Sequence, residues 1–279
     1  MITYRALLHR FQLTCDDPIA DRYLRQVLAP LEEGPEAEGQ VTHYHLVGRE
    51  TSSTVDMLLV DGEVSPNIAQ VGPLARFLQL IDHAAEHVTG ERFPVLHAAA
   101  CHLDGRTIVL PAAPDAGKST LVGHLASNGW TYLSDELVAI VPGSPPQILA
   151  YPRSIVLDEG SWSLFTDRTQ PMPPELSMQL PRRRHLVPAA SSRPAIGASY
   201  PITDVALYRW MAGAAEEMSE LDGVECLRCL LGASFSVERH PQRDLDVLAN
   251  VVDHASCWRL EGGRVDRLRG LLRGPPAVR

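Results

Sequence analysis

The chain has no stretch approaching the roughly 20 consecutive apolar residues of a membrane-crossing helix. It also lacks an amino-terminal basic-then-apolar segment of the kind that directs export. Both absences predict a cytoplasmic protein with no membrane partner. Positive charge is in deficit, since 25 Lys and Arg stand against 34 Asp and Glu and leave a net charge of −9. A nucleic-acid partner wants clustered cations against its phosphates, so none is expected. The one dense basic run, Arg182-Arg183-Arg184-His185, reads as a solvated loop. Cysteine is sparse: Cys15, Cys101, Cys226, Cys229 and Cys257 are odd in number and have no framework spacing. Cys226-x-x-Cys229 lacks the second ligand pair of a structural zinc site and is expected to pack on a helix face. No internal repeat is present.

What the sequence does contain is ordinary in bulk and specific in the middle. With 279 residues, 45% of them hydrophobic and 21% charged, the chain can bury a sizeable core. It divides by pattern into a small α/β region over 1–92 and a larger domain over 93–279. In the first region, alternation over Tyr4–Leu13 predicts a strand, and Asp16-Asp17-Pro18 opens a helix running through Leu28. Acidic Glu32–Gly39 reads as a loop. Val41–Val47 and Val55–Val60 read as paired strands, and helical spacing of apolar residues covers Asn67–Val88.

In the second region, Val95–Leu103 and Thr107–Pro111 read as adjacent strands joined at Asp104-Gly105. A helix follows from Gly117 to about Asn128, with Gly129 where a left-handed residue ends it. Trp130–Leu133 and Leu137–Val141 read as strands. Thr166–Pro201, rich in Pro, Ser and Arg, reads as an irregular, mobile, substrate-facing loop. A strand at Ile202–Tyr208, helices at Val224–Leu231 and Leu245–His254, and a strand at Cys257–Leu260 complete the pattern.

Between the strand ending at Pro111 and its helix lies Ala112-Ala113-Pro114-Asp115-Ala116-Gly117-Lys118-Ser119-Thr120. Strand, loop and helix in this order form a phosphate-binding loop, in which consecutive backbone N–H groups at a helix amino terminus surround phosphate oxygens. Lys118 is placed to reach the β- and γ-phosphates of ATP, and the Ser119 hydroxyl to ligate Mg²⁺. Ala112 occupies the position where the strong form of the motif has glycine; it serves there if its φ is negative. Seventeen residues after Lys118 come Asp135 and Glu136. A strand beside the loop strand would deliver both carboxylates to the phosphate end, one to hold Mg²⁺ and one to deprotonate or orient a hydroxyl. Ser134-Asp135 could equally cap a turn. His97, on the strand before the loop strand, is of a type that is usually a satisfied core histidine.

Taken together, Leu96-His97-Ala98-Ala99-Ala100, Gly117-Lys118-Ser119-Thr120 and Leu133-Ser134-Asp135-Glu136-Leu137-Val138 resemble the catalytic core of bacterial HPr kinase/phosphorylase. The similarity is closer still to the HPr-kinase-related proteins encoded with peptide-modification clusters, including lasso-peptide precursor kinases. It extends outward through Ala150–Gly160, His185-Leu186-Val187-Pro188 and Cys257-Trp258-Arg259-Leu260. The resemblance implies an α/β fold: a twisted mixed sheet flanked by helices around the loop, preceded by a small α/β region.

It also implies roles. Asp135 matches the catalytic base that takes the proton of a substrate serine. Glu136 matches the second acid, here one methylene longer than the family's Asp, which with Asp135 and Ser119 would serve Mg²⁺. His97 matches the active-site histidine, and Arg153 is the residue assigned to offset charge on the transferring phosphoryl. The implied cofactors are ATP and Mg²⁺, and the implied partner is a peptide or protein carrying a serine, as in a ribosomally made lasso-type precursor. HPr kinases form hexamers, so a homo-oligomer is compatible with the likeness. No Arg-Gly-x-Gly signature is present, which argues against HPr as substrate and against phosphorylase activity. Two other readings stay open on the residues: a small-molecule hydroxyl kinase, and a nucleotide-binding or ATPase switch in which Glu136 orients water. No Leu-Ser-Gly-Gly stretch follows the loop, which disfavours an ABC-type ATPase.

Overall fold

In a computed structural model the described residues are 1–34, 39–48, 55–65, 72–113, 116–166, 168–170, 172–176 and 184–273. They form a mixed α/β protein of two compact units, Met1–Val88 with Arg153–Val187, and Thr89–Pro152 with Pro188–Arg279. The segment Arg153–Val187 packs with Met1–Val88.

The first unit carries a five-stranded sheet ordered β1 (Thr3–Ala6), β2 (His9–Cys15), β3 (Thr42–Gly48), β4 (Val55–Val60) and β5 (Glu63–Val64). The expected single strand over Tyr4–Leu13 is instead a hairpin. Leu7, with φ 55°, makes the turn without any glycine or asparagine to signal it. Strands β2 and β3 are parallel, so the chain needs a crossover. Helix α1 (Pro18–Leu28) supplies it, capped by the Asp17 carboxylate accepting from the Ile19 and Ala20 N–H groups.

Helix α2 (Pro73–Gly90) buries Leu74, Phe77, Ile81 and Ala85; of the stripe Ile68, Val71, Leu74, Leu78 and Ile81 expected from spacing, Leu74 and Ile81 are buried and Leu78 is half-buried. The expected first turn, with Ile68 and Val71, lies outside the described residues. The core here is aromatic: Phe11 stacks on Tyr4 at 5.3 Å, and Tyr44 meets Phe77 edge-on at 5.3 Å.

The later segment adds β11 (Ile155–Leu157), β12 (Thr169–Gln170) and β13 (Arg184–Leu186) as a small sheet ordered β11-β13-β12. Thr166–Pro201 is therefore not one irregular loop. His185 is buried and meets Tyr23 edge-on, so Arg184-His185 is strand and not solvated loop. Arg182 and Arg183 lie outside the described residues.

The second unit is built on a nine-stranded sheet, and its central strands, Val95–Leu103 and Arg106–Pro111, are mostly apolar and buried. Along its main path run β14 (Ser199–Pro201), β10 (Gln147–Leu149), β9 (Leu137–Val141), β6 (Val95–Leu103), β7 (Arg106–Pro111), β15 (Asp204–Trp210), β17 (Ser256–Gly262) and β16 (Glu217–Glu220). The ninth strand, β8 (Thr131–Ser134), shares the β6 edge with β9. Pairing is mixed: β6 and β7 are antiparallel, whereas β15 runs parallel to both β7 and β17.

Alternate residues Leu96, Ala98 and Ala100 pack in one cluster with residues of helices α4 (Gly223–Ala233) and α5 (Pro241–His254). Cys226 and Cys257 lie in that cluster, and among the described residues no three or more His, Cys, Asp or Glu side chains are gathered as a metal site. Helix α3 (Lys118–Ala126) contacts β6, β8 and the last helix, α6 (Val265–Arg273). Gly129 is left-handed, φ 94°, as its place after α3 predicts. Among the described residues no helix is long and apolar enough to cross a membrane.

Candidate functional site

The ladder of the second sheet explains where the chemistry collects. Strand β7 leaves β6 at the pair Ala98–Pro111, so the loop beginning at Ala112 departs beside His97. On the other edge of β6, β8 and β9 behave as one strand with an interruption. Ser134 pairs Ala100 and Leu137 pairs His97, leaving Asp135 and Glu136 opposite Ala99 and Ala98. The start of the loop, His97 and the two carboxylate residues thus share one end of the sheet through register alone.

Ser134 makes the interruption. Its buried hydroxyl donates to the Leu137 carbonyl at 2.7 Å and accepts from the Glu136 N–H at 3.3 Å, serving backbone groups that the broken ladder releases. The turn-forming role open to Ser134-Asp135 therefore belongs to Ser134. Asp135 is only 1% exposed, and its Oδ1 accepts from the Tyr132 hydroxyl at 2.7 Å. A buried carboxylate held by a tyrosine has a fixed rotamer, and neither its burial nor its partner is needed to close the turn. His97 Nε2 lies 3.8 Å from Glu136 Oε1, and the ring stacks near-parallel on Phe235 at 5.9 Å. His97 is therefore not a core histidine with only apolar neighbours.

The loop itself is closed by its lysine. Lys118, 5% exposed, donates from Nζ to the carbonyls of Ala112 at 2.8 Å and Ala113 at 3.0 Å. Gly117 caps α3 in the left-handed region at φ 84°, where a side chain would be strained. The positive-φ residues other than glycine are Leu7, Asp61 and Asp104 among those described, so Ala112 keeps the backbone sign that lets alanine replace glycine there. Ala116 donates its N–H to the Ala113 carbonyl at 3.3 Å. Ser119 and Thr120 follow Lys118 in the first turn of the helix, both half-buried. Pro114 and Asp115 lie outside the described residues. Helix amino terminus, buried lysine and left-handed glycine together suit a polyphosphate. Ser119, Asp135 and Glu136 offer only hard oxygen donors, the ligand class that Mg²⁺ takes.

Arg153 belongs to the first unit. There its guanidinium donates to Asp82 Oδ2 of α2 at 2.5 Å, and the neighbouring Ser154 hydroxyl donates to the Val27 carbonyl at 2.5 Å. Both contacts tie the 153–187 segment to the rest of that unit.

Sequence reasoning did not single out Tyr132, Tyr208 or Trp210. A Cβ built on Gly117 would stand 3.3 Å from Trp210 Cβ and 3.5 Å from the Tyr208 hydroxyl, so the carboxyl end of β15 lies directly against the loop. Burial pushes the Tyr208 phenol up to about 12, so it stays a neutral hydroxyl at neutral pH. Only the parallel pairing of β7 with β15 brings these residues here, and no short-range signal carries that.

A solved structure, the Hpr(Ser) kinase/phosphatase from Coxiella burnetii, matches 64% of this chain and 88% of its own, at 8% sequence identity and a TM-score of 0.33. No protein-family model matches the chain, and no curated protein does.

Proposed function

We propose that this protein is a cytoplasmic ATP-dependent kinase that transfers the γ-phosphoryl of ATP to a serine hydroxyl of a peptide or protein. The acceptor class favoured by the motif resemblance is a ribosomally made precursor peptide of the lasso type. One observation carries the reading: a buried, tyrosine-held carboxylate and the start of a lysine-closed loop occupy the same end of one sheet.

In this reading Lys118 and the N–H groups opening α3 bind and neutralise the phosphates. ATP bound with Mg²⁺ supplies the phosphoryl group and the charge that screens it. Ser119 and Glu136 would hold the metal ion, with His97, 3.8 Å from the Glu136 carboxylate, orienting that carboxylate. Asp135 accepts the proton of the serine hydroxyl as the serine oxygen bonds to the γ-phosphorus and the bond to the ADP oxygen breaks. Its role as base would be worth about 10²–10⁴ in rate. Arg153 donates to Asp82 within the first unit, and in this reading it packs that unit.

The test is incubation of the purified protein with Mg-ATP and peptides encoded by neighbouring genes, read by mass spectrometry. Phosphate on a serine, absent with Asp135→Asn, is the expected result. ADP release at equal rates by wild type and Asp135→Asn, with no peptide modified, would turn the assignment to an ATPase switch. Phosphate gained only by small hydroxylated metabolites would redirect it to a small-molecule kinase.

A further inference from the structure

We propose that the carboxyl end of β15 is the base-binding side of the nucleotide site, with the Trp210 indole as the face on which the adenine stacks. The inference deepens the kinase reading and rests on its first half, that the loop holds the phosphates of a nucleotide.

Three observations lead to it. The first is lateral order: in the sheet, β7 runs between β6 and β15. The carboxylate pair is reached across β6, on one side of the loop strand, so the phosphoryl-transfer chemistry has its side. The other side belongs to β15, which runs parallel to β7 from the pair Asp204–Ile108. In parallel sheets, ligands bind beyond the carboxyl ends of the strands, and Trp210 is the last residue of β15.

The second is the tryptophan itself. Trp130 and Trp258 are buried, and Trp162 is half-buried beneath the Arg184 guanidinium at 4.3 Å. Trp210 alone of the four is exposed, at 51%. An exposed indole is unremarkable by itself; this one has its Cβ 3.3 Å from where a Gly117 side chain would begin, beside the lysine of the loop. A flat π-face one residue from the phosphate cradle is what a purine requires, and stacking needs no particular donor pattern.

The third is Tyr208, two residues earlier on the same side of the strand. It is 2% exposed, and its hydroxyl has no hydrogen-bond partner among the described residues while lying against Gly117. Buried hydroxyls nearly always find a partner. A donor held at the seam between loop and β15 suits a ligand that runs from the loop toward Trp210.

The experiment separates base from phosphate. Titration calorimetry of the full chain uses two probes, Mg-ADP and Mg-pyrophosphate, against wild type, Trp210→Ala, Trp210→Phe and Lys118→Ala. Trp210→Ala is expected to weaken Mg-ADP about tenfold or more and to leave Mg-pyrophosphate unchanged, while Trp210→Phe restores most of the ADP affinity. Unchanged ADP affinity in Trp210→Ala, or equal weakening of both probes that Phe does not restore, overturns the proposal. Lys118→Ala should weaken both probes. If it weakens neither, the nucleotide reading fails and the base site falls with it. If Lys118→Ala weakens both and Trp210→Ala neither, only the base site is wrong.

Discussion

The two units bury polar groups for different ends. In the first, buried His9, Asp17 and Ser154 each serve a nearby structural need: an aromatic cluster, a helix cap and a strand-to-helix tie. In the second, Lys118, Ser134 and Asp135 are gathered at one end of one sheet, where a broken strand and a departing loop meet. The second unit has its own structural lock at the opposite end of β15. There the Asp204 carboxylate takes both arms of Arg106, at 2.9 and 2.7 Å, and the Trp258 N–H at 2.7 Å. The comparison teaches that burial of charge does not mark function. Asp204 has its charge matched by a bidentate arginine, while Asp135 accepts from the Tyr132 hydroxyl and Lys118 donates to the Ala112 and Ala113 carbonyls.

Perturbing the first unit should cost stability and leave chemistry alone. Phe77→Ala removes the ring on which Phe11 and Tyr44 converge. It is expected to cost about 3–5 kcal/mol in urea unfolding. A cost under about 1 kcal/mol, well below what emptying a tightly packed aromatic core requires, would show that the cluster is not the unit's core.

A smaller effect is expected from His9. Burial holds its imidazole at about 4, below the ordinary 6.5, against a small opposing pull from Asp61. The neutral ring's contribution is full above pH 6.5. As pH falls from 6.5 toward 4 the unfolded chain takes up a proton that the folded chain refuses, so stability declines by an amount on the order of 3 kcal/mol. Unfolding midpoints measured across that range should fall in wild type and flatten in His9→Gln. Parallel curves for the two proteins would remove His9 from the account.

The smallest effect separates packing from catalysis. Arg153→Gln breaks a partly exposed ion pair with Asp82 and is expected to lower stability by about 1 kcal/mol without slowing turnover. A fall in turnover of several orders of magnitude at unchanged melting temperature would return Arg153 to the phosphoryl group and blur the division between the units.

Legibility in the sequence followed the same division. The strand before the loop, its helix, Gly129 and the two short strands on either side of Asp135-Glu136 were readable because apolar runs and helix ends impose residue types at fixed local spacing. The hairpin at Leu7 was not, since a leucine in the left-handed region is held by its surroundings and not by its own preference. Membership of 153–187 in the first unit depends on Arg153, Ser154 and His185 meeting Asp82, Val27 and Tyr23, far away in the chain. Tyr132 was hidden for a related reason: an i, i+3 hydroxyl-to-carboxylate contact within a strand occurs only where the strand is broken. Trp210 depended on which strand pairs with β7, a long-range choice that composition does not encode.

The central claim is that loop and carboxylate form one phosphoryl-transfer site. It is tested most directly by measuring, on the same preparations of wild type and Asp135→Asn, the dissociation constant for Mg-ADP and the rate of phosphate transfer to the acceptor peptide. The prediction is a dissociation constant within a few-fold of wild type and a transfer rate lower by about 10²–10⁴. Transfer at the wild-type rate by Asp135→Asn would contradict it.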